Sequence, residues 1–374
     1  MTKTVRSCRV PGRLAIALLL FLTAPVAGAG ESDCEAADGF GFVCGPKNAE
    51  DLVLVPGTQW ILASSMAPGG GIYLLDAERK TWEQVYPGPA TAVQQDFEAY
   101  AECPGAPDPG SLVTHGLNLR STSEGHSMLY VVGHGGREAI EVFAVDATAA
   151  RPLLTWKGCV LTPEAMAANS VASLPDGSLL ATIPLRSGIP IDAALAGEPT
   201  GGVYAWSPGD RGFTKVEGTD LPYANGIEVS EDGREFYVAS SGLFNVTAFS
   251  NTTPARVLRR SESLGFLPDN LHMDAEGRLL TAGLQLNDPV CGNLEGATTF
   301  DFQAFMTCPR PFTVWAIEPG SMAGQALITG AANEHFSNIT MALPVGNEIW
   351  IGTFSGDRVA YRERLRPNPE PGRR

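Results

Sequence analysis

The stretch Val171-Ala172-Ser173-Leu174-Pro175-Asp176-Gly177 runs into Leu179-Leu180-Ala181-Thr182-Ile183. Two apolar-rich β segments joined through Asp-Gly read as a hairpin, because Gly supplies the backbone conformation that tight turns require. The same unit recurs along the chain. It reads Leu52 to Gly57 into Trp60-Ile61-Leu62-Ala63, and Leu117 to Gly125 into Met128-Leu129-Tyr130-Val131-Val132. It returns as Ile227 to Gly233 into Phe236-Tyr237-Val238-Ala239, Leu271 to Gly277 into Leu279-Leu280-Thr281-Ala282, and Ile339 to Gly346 into Ile349-Trp350-Ile351-Gly352. The turn glycines, from Gly57 to Gly346, lie 44 to 69 residues apart. Third β-rich runs follow at Gly71–Leu75, Ile140–Val145, Gly202–Trp206, Val246–Phe249 and Thr313–Ile317. A period of that length fits a four-stranded blade, and blades arranged radially make a propeller.

The pattern therefore predicts an all-β chain folded as a six-bladed β-propeller. A β-sandwich, or two smaller β domains, would also supply hairpins. Neither explains six copies of one unit without a linker-like break. Helix-like scraps such as Glu164 to Ala168 are short. The 42 Gly and 28 Pro suit many strands joined by tight turns. Hydrophobic residues at 44% and charged residues at 18% are ordinary for a packed core and argue against wholesale disorder.

Each unit begins with a polar residue seven to ten positions before its turn glycine: Glu50, His115, Asn169, Asn225, Asn270 (preceded by Asp269) and Asn338. Any one Asn alone reads as a turn or cap residue. Equivalent positions of a propeller converge on its axis, because the innermost strands line the central channel. Glu50, Asp269, Asn169, Asn225 and Asn270 would then form one hard-oxygen cluster carrying two formal negative charges. Ca²⁺ accepts roughly six to eight oxygens, amide oxygens included, whereas Zn²⁺ favours His and Cys. Asn338 is the weakest member, since Asn338-Ile339-Thr340 is also a glycosylation sequon, as are the sites at Asn245 and Asn251.

Ala49-Glu50-Asp51-Leu52, Thr114-His115-Gly116-Leu117, Ala224-Asn225-Gly226-Ile227 with Asp232-Gly233, Pro268-Asp269-Asn270-Leu271 and Ile351-Gly352-Thr353 occur in an order that resembles the paraoxonase-type lactonases and arylesterases. The resemblance runs from about Cys44 to Tyr361. It lies within the wider superfamily of gluconolactonase/regucalcin-like and strictosidine-synthase-like propellers. It implies a catalytic calcium held by Glu50, Asn169, Asn225, Asp269 and Asn270. It also implies a histidine dyad, His115 with His134 of Val131-Val132-Gly133-His134, that prepares a water for attack. A second, structural calcium is implied at Asp51 and the Leu117 carbonyl, but Ser170 stands where that family carries an Asp. The family's disulfide to the C-terminal region has no counterpart here, because Tyr361-Arg362 occupies the late position.

Residues 1–29 read as a signal peptide, with Lys3, Arg6, Arg9 and Arg13 ahead of an apolar run and Ala27-Gly28-Ala29 as the cleavage pattern. That run is short for a membrane span, which needs ~20 apolar residues, and no other stretch is apolar enough. Without residues 1–29 the chain carries 22 basic against 41 acidic residues, a balance of −19. Such a surface repels phosphate backbones, which argues against a nucleic-acid partner. Six cysteines remain, an even number in an exported chain, so disulfides are expected, with Cys34–Cys44 and Cys291–Cys308 as the sequence-near pairs. The propeller is expected over residues 30–362, and residues 363–374, rich in Pro and Arg, read as a tail. The location expected is secreted or periplasmic.

The function expected is a calcium-dependent hydrolase that opens lactones or cleaves esters, acting on a small molecule. No Gly-x-Ser-x-Gly elbow points to a serine nucleophile, and Gly69-Gly70-Gly71 lacks the following helix of a nucleotide loop. Two alternatives stand beside it: a sugar lactonase of gluconolactonase type, and a non-catalytic calcium-stabilised propeller that binds a ligand or protein. Gln94–Pro109, Arg186–Pro199 and Leu286–Phe312 are the stretches long enough to cover a site. His126, His272 and His335 carry no catalytic argument; His272 reads as a structural residue on its strand.

Overall fold

The computed structural model describes residues 34–295, 297, 299–333 and 336–364. The expected signal segment, His335 and residues 365–374 of the expected tail lie outside them. Six blades form, as the repeats predict. Their innermost strands are Leu52–Leu54, Val113–Ser123, Val171–Ser173, Ala224–Val229, Leu271–Met273 and Ile339–Val345. The six turn glycines all take positive φ, between 57° and 87°. Blade two gains a fifth strand, Ala92–Val93, paired in parallel with Leu153–Leu161. The ring closes where Gly41–Cys44 pairs antiparallel with Arg358–Glu363, so the outermost strand of blade six comes from the other end of the propeller sequence.

The middle strands are buried throughout rather than alternately. All five residues of Ile72–Asp76 are buried, as are those of Leu179–Ile183. A blade packs against a neighbour on each face, so both sets of alternating side chains must be apolar. Ile72 and Leu74 join a core with Leu117, Leu129 and Phe143 of blade two. Tyr73 and Leu75, pointing the other way, join Met341 and Trp350 of blade six. Phe236 and Val238 face blade three, while Tyr237 and Ala239 face blade five. The core is thus a series of wedges between blades. Burial of these wedges, at roughly 25 cal/mol per Å² of apolar surface, is what holds the ring together.

Near the axis the innermost strands are laced to one another. The Gly116 N–H donates to the Asn169 carbonyl at 3.1 Å, and the Gly226 N–H to the Asp269 carbonyl at 3.2 Å. The Thr182 hydroxyl donates to the Asn225 carbonyl and the Thr340 hydroxyl to the Glu50 carbonyl, each at 2.5 Å. Two glycines make this approach feasible. A Cβ on Gly116 would lie 2.6 Å from the Asn169 oxygen, and one on Gly226 would lie 2.5 Å from the Asp269 oxygen. The His-Gly and Asn-Gly pairs of the sequence therefore couple an axial side chain to a close backbone contact with the next blade.

Cys291–Cys308 is bonded, as expected from the sequence. Cys103–Cys159, separated by 56 residues, is bonded too and was not foreseen. Cys34 and Cys44 each carry a disulfide. No helix among the described residues is long and apolar enough to cross a membrane. Among the described residues two short α-helices, α1 (Ile191–Leu195) and α2 (Phe302–Thr307), interrupt the β pattern, and both lie in stretches expected to cover a site.

Candidate functional site

Glu50, His115, Asn169, Asn225 and Asp269 line one cavity of about 170 Å³, and Asn270 hydrogen-bonds directly to Glu50. The axial positions inferred from the repeats thus come together. Each approaches from a different blade except Asp269 and Asn270, which are adjacent.

The hydrogen bonding shows what the cluster lacks. The Asn270 amide nitrogen donates to Glu50 Oε1 at 2.6 Å, and the Asn225 amide nitrogen donates to the Ser241 hydroxyl at 3.0 Å. Their oxygens have no partner. Glu50 Oε2, Asn169 Oδ1, Asn225 Oδ1 and Asn270 Oδ1 are all buried acceptors without a donor. Buried polar atoms are nearly always paired, so four orphaned oxygens in one cluster call for a shared positive partner. Burial, then the charges of Asp269 and Asp51, push the Glu50 carboxyl well above its usual range. Asp269 is raised by burial to about 7, against the pull of its hydrogen bond from Asn225. A divalent cation would relieve both costs. The donor set, mostly amide and carboxylate oxygen, suits Ca²⁺.

The same test gives another answer at Asp51. Its carboxylate accepts the Leu52 N–H at 2.9 Å and the Leu117 N–H at 2.7 Å. His272 Nε2 lies 2.7 Å from Asp51 Oδ1, with Nδ1 3.9 Å from Glu228. Burial alone would lower the His272 pKa, but Asp51 and Glu228 outweigh it and lift it to about 9. The positive partner of Asp51 is thus a side chain of this protein. The fit found at Glu50 does not extend to a second ion at Asp51 and Leu117.

His115 and His134 stand together. His115 Nδ1 is 3.1 Å from His134 Nε2, and His115 Nε2 is 3.6 Å from Glu50 Oε1. Val113 and His134 are register partners on adjacent strands, which is why residues 19 apart in sequence meet. The His115 side chain is 13% exposed, and burial, then His134, hold its pKa down to about 3. Burial thus favours the neutral ring at pH 7. Sequence reasoning missed Glu138, whose carboxylate lies 2.5 Å from His134 Nδ1. The Gly135-Gly136 turn signal between two strands would have pointed to it.

Above the cluster the cavity wall is apolar. Ile191 and Leu195 come from α1, Phe302, Phe305 and Met306 from α2, and Phe354 from blade six. Two of the three expected covering stretches supply this wall. Gln94–Pro109 does not reach it; Cys103 is tied to Cys159, and Tyr100 stacks on Trp206 at 5.8 Å. Asn338 is buried, and its amide nitrogen donates to the Met306 carbonyl at 3.2 Å.

Fold and site together define a six-bladed propeller with an oxygen-donor cluster on its axis and a histidine pair beside it. Residues 122–304 match the model of the family described as "SMP-30/Gluconolactonase/LRE-like region", which includes lactone hydrolases and lies within the superfamily that the sequence resembles. Among solved structures, a luciferin-regenerating enzyme aligns at 13% identity over 85% of this chain and 92% of its own, with a TM-score of 0.51. A gluconolactonase from Xanthomonas campestris aligns at 16% identity over 86% and 88%, with a TM-score of 0.49. A protein of unknown function from Bacteroides thetaiotaomicron aligns at 10% identity over 86% and 75%, with a TM-score of 0.51. The two with TM-scores of 0.51, at such low identities, speak for the fold alone. No protein of curated function matches the sequence.

Proposed function

We propose that this protein is a calcium-dependent hydrolase of lactones or esters whose substrates carry an apolar acyl or aryl part. One observation carries the reading: four donorless oxygens and His115, paired with His134, line or border the same apolar-walled cavity. Glu50, Asn169, Asn225, Asp269 and Asn270 would hold the ion, which when bound supplies positive charge for an oxyanion developing on a carbonyl. His115 takes a proton from water at Nε2, and His134 holds its ring in place. Phe302, Phe305 and Met306 cover the substrate and exclude bulk water. A sugar lactonase has the family match in its favour. Its several hydroxyls would, however, face a wall with few hydrogen-bonding groups, and unpaired polar groups are costly to bury.

The test is hydrolysis of a panel of acyl lactones, sugar lactones and aryl esters by protein lacking residues 1–29, as isolated, chelated, and refilled with calcium. Calcium-restored turnover with acyl lactones or aryl esters preferred supports the proposal. Preference for sugar lactones replaces the substrate assignment. Absence of turnover on every substrate, with calcium still raising the melting temperature, leaves a calcium-stabilised binding propeller.

A further inference from the structure

A carboxylate that the sequence did not single out completes a three-residue chain beside the axial cluster. Glu138 Oε2 is 2.5 Å from His134 Nδ1, His134 Nε2 is 3.1 Å from His115 Nδ1, and His115 Nε2 borders the cavity at 3.6 Å from Glu50. The two imidazole rings are nearly edge to face, at 61°. All three side chains are largely shielded, with 22% exposure at Glu138, 16% at His134 and 13% at His115.

Proton accounting along this chain has one solution when both rings are neutral. A carboxylate only accepts, so His134 must carry its proton on Nδ1 and donate it to Glu138. His134 Nε2 is then an acceptor, and His115 must carry its own proton on Nδ1 to donate to it. That leaves the lone pair of His115 on Nε2, the nitrogen that borders the cavity. With no acceptor at position 138, His134 could place its proton on Nε2, and His115 would then be free to turn its N–H toward the cavity.

We infer that Glu138 is a positioning residue that sets the tautomers of His134 and, through it, His115, so that Nε2 of His115 is presented as the base. This rests on the reading of His115 as the group that takes the proton of water. When that proton bonds to His115 Nε2 and the O–H bond of water breaks, the ring gains positive charge, and Glu138 is the negative group that faces it through His134. The placement of Glu138 is built into the backbone. The chain turns at Gly135-Gly136, and the Glu138 carbonyl accepts the Thr162 N–H at 3.1 Å and the Thr162 hydroxyl at 3.3 Å. Its neighbour Arg137 is fixed in turn by a two-pronged contact with Glu141 at 2.8 Å on each arm. Glu138 is thus held under His134 by contacts of its own main chain and not by the histidine alone.

The experiment combines histidine-ring ¹⁵N NMR with kinetics on Glu138→Ala and Glu138→Gln in the calcium-loaded, full propeller. The chain has five His, and His115→Gln and His134→Gln assign the two rings. The expected spectrum shows protonated Nδ1 in both His115 and His134. Glu138→Ala should move His134 toward the Nε2–H form and lower kcat about 10- to 100-fold, as loss of an outer partner of a site histidine does, with little change in KM. Gln keeps an oxygen that accepts the Nδ1 proton, so Glu138→Gln should retain the tautomers and most of the rate. An Nε2–H tautomer at His134 in the unmodified protein, or unchanged tautomers and kcat in Glu138→Ala, overturns the inference. Failure of the hydrolase reading shows separately, as absent turnover in the unmodified protein, while the spectra still decide the chain of hydrogen bonds.

Discussion

Replacing Arg137 by Met tests the packing that supports the histidine turn. Glu141 is 1% exposed and lies in the wedge between blades, where its two oxygens accept Arg137 Nε and Nη2 at 2.8 Å each. Trp156 Nε1 donates to the same carboxylate at 2.8 Å, and Arg137 also donates to the Gly105 carbonyl at 2.7 Å. Met fills much of the apolar stem of Arg but leaves a buried carboxylate with one remaining donor. Breaking a buried pair from one side costs about 3–5 kcal/mol, and the Trp156 bond places the expected loss near the lower end, ~3 kcal/mol. Burial already raises the Glu141 pKa, with Arg137 and Trp156 pulling it down, so removing Arg137 raises it further. A carboxyl whose folded-state pKa exceeds its unfolded value contributes stability that is fully present below the unfolded value, ~4.3, and is lost as pH rises through the folded one. The Arg137→Met deficit should therefore grow from pH 5 to pH 7.5. Urea unfolding of calcium-saturated protein at both values reads this as a shift in midpoint at constant slope. Adding Glu141→Leu should recover part of the loss, because no unpaired charge remains. A deficit below about 1 kcal/mol at neutral pH, or one equal at both pH values, would refute the reasoning.

Calcium at about a hundred times its Kd should add roughly 2.7 kcal/mol to stability, so the melting temperature should rise with calcium in the native chain and not in Asn225→Leu, by differential scanning fluorimetry. Removing the Cys291–Cys308 bond, which spans 17 residues around α2, should cost about 3 kcal/mol by loop-closure entropy and raise KM for apolar lactones; a retained KM would separate α2 from substrate cover. Phe305 packs on Phe300 at 5.2 Å and on Phe354 at 6.1 Å. Phe305→Ala should lower kcat/KM for a long-chain lactone by roughly 10-fold or more, from ~1.5–3 kcal/mol of lost apolar burial, with a short-chain lactone nearly unaffected. Equal losses on both substrates would place Phe305 outside the acyl site.

The ring and its axis were legible because a repeat converts position along the chain into position around a circle. Asp176-Gly177 and its counterparts mark one turn per blade, and a polar residue at a constant offset before each turn must point toward the same centre. Hence Glu50, Asn169, Asn225, Asp269 and Asn270 could be grouped from the sequence, as could His115 at the equivalent place. The pairing of Gly41–Cys44 with Arg358–Glu363, the Cys103–Cys159 bond and the contact of His272 with Asp51 had no such signal. They join residues far apart in sequence, and nothing in a strand's own pattern names its distant partner. Gln94–Pro109 looks like cover by length but is drawn away by its disulfide and by Tyr100, while α1 and α2 supply the apolar wall. The sequence by itself determined the number of blades, the turns and the axial oxygen donors, because periodicity dictates those. The tertiary structure alone decided that His272 partners Asp51 and that the cavity is walled by phenylalanine, because those depend on distances across the ring and on the return of loops over it.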